Sequence, residues 1–249
     1  MKNGIRLLVF ALLLIPFTVM AEENNKPAPK HLASYNNDVT GDTEKETITL
    51  KGVSFADDTK YYMDTWAFLS SKDGGEWEIQ YDGGYEPQMH FHDLNHDGVK
   101  DILYQSLSNK KANLYDYQLH TVQKNQLKQI PLPKQTFIQA MFKDDFQVEV
   151  KIAPDKDPSI VDISDRDSRY IELGIYDQNG ELIEENAPMI EPIASFKPVK
   201  INKQKGYGLK SKQRISGAFR SDQLGTVETL WYFEKDQWII LKTEWVPSN

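Results

Sequence analysis

The strongest constraint on the fold is a rhythm. From Thr47 onward, short runs rich in aromatic and β-branched residues alternate with turn residues. Residues 61–69, 76–81, 102–107 and 114–122 have strand length, and Asp73-Gly74-Gly75 and Asp82-Gly83-Gly84 read as breaks between such runs. Within 169–176, Ile171, Leu173 and Ile175 recur at period two, which predicts a strand. Asp177-Gln178-Asn179-Gly180 then turns the chain into a partner at 181–184. Residues 227–233 and 238–245 flank Glu234-Lys235-Asp236-Gln237 as a further hairpin, with Val227, Trp231 and Phe233 on one face. Helical spacing is confined to 133–143, where Phe137, Ile138, Met141 and Phe142 fall on one side. The expectation is an all-β protein of antiparallel sheets, built as propeller-like double-hairpin units or a sandwich, with at most one or two short helices.

The N-terminus reads as an address. A short basic start containing Lys2 and Arg6 precedes an apolar run at 7–20, and Val19-Met20-Ala21 supplies modest side chains ahead of Glu22-Glu23. This predicts a secretory signal at 1–21, since 14 apolar residues are fewer than the roughly 20 needed to span a bilayer. Residues 22–33 are expected to be a polar linker. Residues 34–249 are expected to form one β-rich domain, with a first part at 34–132 and a C-terminal part at 133–249. The chain is then secreted, extracellular or wall-associated, and not inserted in the membrane after cleavage. Without the signal it has 37 acidic residues against 27 basic ones, a balance that disfavours nucleic acid and anionic lipid as partners. The absence of cysteine excludes disulfides, thiolate metal sites and a cysteine nucleophile.

The chemistry is concentrated at 93–101, Asp-Leu-Asn-His-Asp-Gly-Val-Lys-Asp. Oxygen-bearing side chains recur at every second position, followed by a glycine and a closing carboxylate. A tightly wound loop can turn Asp93, Asn95 and Asp97 toward one point, with the Val99 carbonyl and Asp101 completing a cage. Calcium takes six to eight oxygens at about 2.3–2.6 Å, so it suits such a cage. Three carboxylates within nine residues repel one another, and a divalent cation between them removes that penalty. The alternative use of the same residues is an Asx-turn that bonds its own backbone. An EF-hand is excluded, because Tyr104 stands where its bidentate Glu belongs and the flanking runs are strand-like. Residues 38–46 repeat the register with Asp38, Thr40, Asp42, Glu44 and Glu46 as donors, differing in Thr40, Thr43 and Glu46. The offset of 55 residues between the two loops is a workable repeat length.

With this loop between two strands, the chain resembles the FG-GAP/VCBS-type repeats of integrin-like propellers and secreted bacterial proteins. The stretch from Tyr207-Gly208-Leu209 through Ser216-Gly217, Asp222 and Gly225 to Trp231 and Trp238 is similar to the tail of uncharacterised secreted proteins of Gram-positive bacteria. The resemblance implies export and calcium, and it carries no activity.

Other constellations have plainer readings. His90, His92 and His96 invite zinc, but strand histidines with Met89 and Phe91 facing inward explain them. Tyr61, Tyr62, Trp66, Trp77, Tyr81 and Tyr85 could line a sugar groove or fill ordinary strand positions. No Gly-x-Ser-x-Gly elbow, P-loop or dinucleotide fingerprint occurs, and no catalytic residue is assigned. The expected function is a secreted, calcium-binding, non-catalytic module that engages an extracellular protein or glycan. The alternative is a secreted hydrolase acting on extracellular or wall polysaccharide.

Overall fold

A computed structural model describes residues 28–56, 58–111, 113–135 and 137–248. The expected signal and most of the linker lie outside these residues. Strands account for 61% of the described residues and helix for 4%, which makes the protein all-β.

Seven strands form the first sheet: β1 (Lys30–Asn37), β2 (Glu46–Ser54), β3 (Tyr61–Ser70), β4 (Glu76–His92), β5 (Asp101–Asn109), β6 (Leu114–Gln123) and β7 (Gln126–Ile130). Each pairs antiparallel with its sequence neighbour, so the sheet is one continuous meander. Strand β1 begins at Lys30, inside the expected linker. The three strands β8 (Gln139–Lys143), β9 (Gln147–Lys151) and β10 (Ser159–Asp162) form a small sheet. A 3₁₀ turn at Ser164–Arg166 and helix α1 (Asp167–Glu172) follow. A second meander of β11 (Met189–Asn202), β12 (Gly206–Ser216), β13 (Gln223–Glu234) and β14 (Gln237–Pro247) ends the chain.

Three apolar clusters hold these parts together. Ile48, Leu50, Leu69 and Ile79 fill the first within the seven-stranded sheet. Phe142, Val148, Tyr170, Tyr176 and Val227 join the small sheet, the helix and the second meander. The third cluster is the seam between the two meanders: Leu94, Leu103 and Leu119 meet Phe196, Leu209 and Trp231.

Several local expectations are corrected. The described residues of 133–143 are not helical; the segment ends in strand β8, where Ala140 and Phe142 turn inward and Met141 is exposed. Two-residue alternation, stabilised by packing in the second cluster, prevails over the helical spacing. Residues 169–176 are helix α1 and its cap, not a strand, and Leu173 is exposed. Gly174 stands at φ +70°. The Gly174 and Ile175 N–H groups bond to the Ile171 and Tyr170 carbonyls, a Schellman termination that the period-two pattern concealed. The turn at Asp177 to Gly180 does form, but beyond it only one isolated bridge, Tyr176 with Leu182, is made. Asp82-Gly83-Gly84 is not a break, because β4 runs straight through it. A side chain on Gly83 would collide with the Tyr62 carbonyl, and one on Gly84 would lie 2.6 Å from Ser106 Oγ. These glycines let neighbouring strands approach closely.

Candidate metal centre

Both acidic loops close hairpins of the seven-stranded sheet. Residues 93–100 join β4 to β5, and 38–45 join β1 to β2. Their backbones are folded alike. Positive φ occurs at the fourth and sixth positions of each: His96 (63°) and Gly98 (91°) in one, Gly41 (80°) and Thr43 (75°) in the other. The second residue of each loop, Leu94 or Val39, is an apolar plug with no exposure. The sixth N–H bonds to the first aspartate, Gly98 to Asp93 at 3.1 Å and Thr43 to Asp38 at 3.0 Å. The seventh N–H bonds to the fifth, Val99 to Asp97 at 2.9 Å and Glu44 to Asp42 at 2.8 Å. The departures of the second loop from the first therefore leave its winding intact.

The loops touch. A Cβ on Gly41 would lie 2.6 Å from Val99 Cγ2, and Lys100 Nζ donates to Asn37 Oδ1 at 3.0 Å.

They differ in what their carboxylates have left to bind. Asp38 spends both oxygens, on the Gly41 and Thr43 N–H groups. Glu46 does the same, on the Val39 N–H and the Thr40 hydroxyl. Glu44 stands away from the loop, paired with Lys72. In the other loop Asp93 Oδ1 and Asp101 Oδ1 are buried without a hydrogen-bond partner. Asp101 Oδ2 accepts from the Leu94 and Asn95 N–H groups at 2.8 and 2.9 Å. Asn95 accepts from the Asp97 N–H at 3.0 Å and donates to Asp97 Oδ2 at 3.1 Å. Burial pushes the Asp101 carboxyl up to about 7, against those two N–H bonds and the neighbouring Thr121 hydroxyl, which lies outside hydrogen-bonding geometry to Oδ1; the Asp97 charge adds to the rise. Among the described residues, no three His, Asp or Glu side chains already form a metal-holding group. The two orphaned oxygens are the open acceptors of the loop, and hard oxygen donors of this kind fit calcium.

The loop is also docked on the second meander, which no sequence pattern announced. The His96 ring stacks on Tyr232 at 4.4 Å and the His92 ring lies 4.3 Å from Tyr207. Lys205 Nζ sits 4.3 Å over Tyr232. Burial holds both histidines below their usual range, with Asp93 opposing the effect at His96. These rings are committed to aromatic contacts rather than gathered around a zinc site. Thr121, from β6, reaches Asn95 Nδ2 at 3.4 Å. The aromatics of β3 and β4 do not share one groove. Tyr81 is in the core, stacked on Tyr104 at 3.8 Å, while Trp66 stands on the opposite face, across from Gln80.

Residues 136–246 match the family described as the YybI C-terminal domain. The match covers less than half of the chain. It spans the small sheet, the helix and nearly all of the second meander, and both acidic loops lie outside it. No curated protein and no solved structure matches the chain.

Proposed function

We propose that the protein is a secreted, calcium-stabilised β protein whose 93–101 loop holds one structural ion and which binds a protein or glycan outside the cell. The observation that carries this reading is the pair of buried, unpartnered oxygens, Asp93 Oδ1 and Asp101 Oδ1. A buried carboxylate oxygen without a partner is costly, and a divalent cation offsets that cost for both residues at once. Asp93, Asn95, Asp97, the Val99 carbonyl and Asp101 are the donors. The loop at Asp38, Thr40, Asp42, Glu44 and Glu46 serves as a self-satisfied structural copy, because Asp38 and the buried Glu46 already use both carboxylate oxygens. The basic-then-apolar residues at 1–21 support export.

Calcium in this role stabilises the seam rather than performing chemistry. Leu94 ties the loop to the second meander, so an ion that rigidifies the loop rigidifies the junction between the two sheets. Extracellular calcium modules bind at about 10⁻⁴–10⁻³ M, and a tenfold excess over such a constant stabilises by about 1.4 kcal/mol. The test is calorimetric titration of the full chain with calcium after chelation. One site per chain that disappears in Asp97→Ala supports the reading; absence of heat and of any melting shift at millimolar calcium overturns it.

A further inference from the structure

An acidic protein carries one strongly basic stretch. Between Pro192 and Ser221 there are eight basic residues and no acid. This is the β11–β12 hairpin and the turn after it. The register places Lys197 opposite Lys210 and Ser195 opposite Lys212, and Arg214 continues the two-residue alternation on the same face. Net charge governs the far field, but screening over about 8 Å at physiological salt lets such a local patch act on its own.

At one end of this face, a cavity of about 220 Å³ opens between the β5–β6 turn and strands β11 to β13. Arg214 and Arg220 supply its cations, Lys212 beside them being paired with Glu228 at 2.9 Å, and Glu191 supplies a carboxylate. Glu191 Oε1 lies 4.0 Å from Arg214 and 3.6 Å from Arg220, yet it accepts no hydrogen bond. Glu191 is about nine-tenths buried, and Arg214 Nε is likewise buried without an acceptor. The cavity therefore presents an unmet donor beside an unmet acceptor, under an excess of positive charge. Asn113, Ser195, Gln223 and Thr226 add neutral hydrogen-bonding groups, and Pro192 and Leu114 add a small apolar wall. Among the described residues no aromatic ring lines it, so they offer none of the stacking that nucleotide bases use.

We propose that this cavity binds an acidic saccharide, a sugar ring bearing a carboxylate or phosphate. The oxyanion meets the guanidinium donors of Arg214 and Arg220. A ring hydroxyl donates to Glu191 Oε1. This second contact is what selects a sugar acid over a bare anion, since a ring hydroxyl reaches Glu191 at a distance from the oxyanion, whereas a small anion that reaches Glu191 brings its own charge against that carboxylate. The volume is below the roughly 300–1,000 Å³ of drug-sized sites, which fits a single residue of a longer glycan. The proposal supplies a ligand class for extracellular binding, and none of its contacts involves the acidic loops.

The experiment is calorimetric titration of the full chain with glucuronate, glucose 6-phosphate, glucose and inorganic phosphate, in chelator and again in millimolar calcium. Glucuronate or glucose 6-phosphate is expected to bind, glucose not to bind, and inorganic phosphate to bind more weakly. Arg220→Gln, at an exposed side chain, is expected to weaken binding about tenfold, as loss of one charge-assisted hydrogen bond does, with an unchanged melting temperature. Glu191→Gln is expected to reduce the preference for the sugar acid over inorganic phosphate. Absence of binding by both acidic sugars, equal affinity for inorganic phosphate, or unchanged affinity in both variants overturns the proposal. Binding that persists in chelator separates this site from the calcium reading, which fails or stands on its own titration.

Discussion

Asp101 and Glu46 occupy the same place in two similarly wound loops, and they differ by one oxygen. Each is fully buried, and each accepts the N–H of its loop's second residue at 2.8 Å. Glu46 uses its other oxygen on the Thr40 hydroxyl at 3.3 Å, whereas Asp101 Oδ1 has no hydrogen-bond partner. The longer glutamate arm and the hydroxyl at the third position close one loop on itself. The shorter aspartate, paired with an asparagine, leaves the other open.

From that asymmetry, Asp101→Asn is expected to abolish the melting shift produced by calcium, while Glu46→Gln retains it. For a chain of this size about 1.4 kcal/mol corresponds to a rise of about 3–6 °C. Differential scanning fluorimetry with and without millimolar calcium measures it. An equal loss in the two variants would place the ion in both loops or in neither.

Two buried groups give opposite pH slopes. Folded, Asp101 titrates at about 7 because of burial; unfolded, a carboxylate titrates near 3.9. Without calcium the folded chain keeps a proton that the unfolded chain has released, so stability falls by about 4 kcal/mol as pH rises from about 4 to 7. His120 is the reverse. Burial lowers it to about 4, and its Nδ1 has no partner. Its contribution is present above the unfolded histidine value of about 6.5 and is lost, by about 3 kcal/mol, as pH falls toward 4. Urea titrations across this range should show the two nearly cancelling. Asp101→Asn exposes the His120 slope, His120→Gln exposes that of Asp101, and saturating calcium mimics the first.

Leu94→Ala tests the seam. The side chain is fully buried among Leu209, Trp231 and Leu103. Its truncation is expected to cost about 2–5 kcal/mol. It should also weaken calcium binding, because the plug holds the loop against the second meander. Val39→Ala, the equivalent plug in the closed loop, is expected to cost comparable stability without changing calcium affinity. Urea unfolding and calcium calorimetry read the two effects separately.

Two glycines are needed for different reasons. Gly174→Ala meets open space and suffers only the strain of φ +70°, about 1 kcal/mol. Gly83→Ala drives a methyl group into the Tyr62 and Met63 carbonyls and must separate β3 from β4. It is expected to cost at least about 3 kcal/mol, since overpacking here displaces backbone rather than a flexible side chain. Chemical denaturation of the two variants orders them.

Much of the architecture was open to reading along the chain. The strands around Tyr61, Ile102, Leu114 and Val227 follow from residue type and alternation, because a strand's inward face repeats at every second residue whatever it packs against. The loop at 93–101 was equally legible as a connection between two strands. Misreadings arose where one residue pattern serves two backbones. Ile171, Leu173 and Ile175 alternate, yet burial of Tyr170 and Tyr176 and the Gly174 cap make the segment helical. Gly83 and Gly84 look like a turn until a neighbouring strand is seen to press on them.

Residue order along the chain was enough for the all-β class and the hairpin loops, because each depends on neighbours a few positions apart. The stacking of His96 on Tyr232 and the meeting of Glu191 with Arg214 and Arg220 depend on groups more than 20 and, for the first, more than 130 residues apart. Such contacts arise only when separate strands are packed side by side, and burial then decides which polar atoms lose water without gaining a partner.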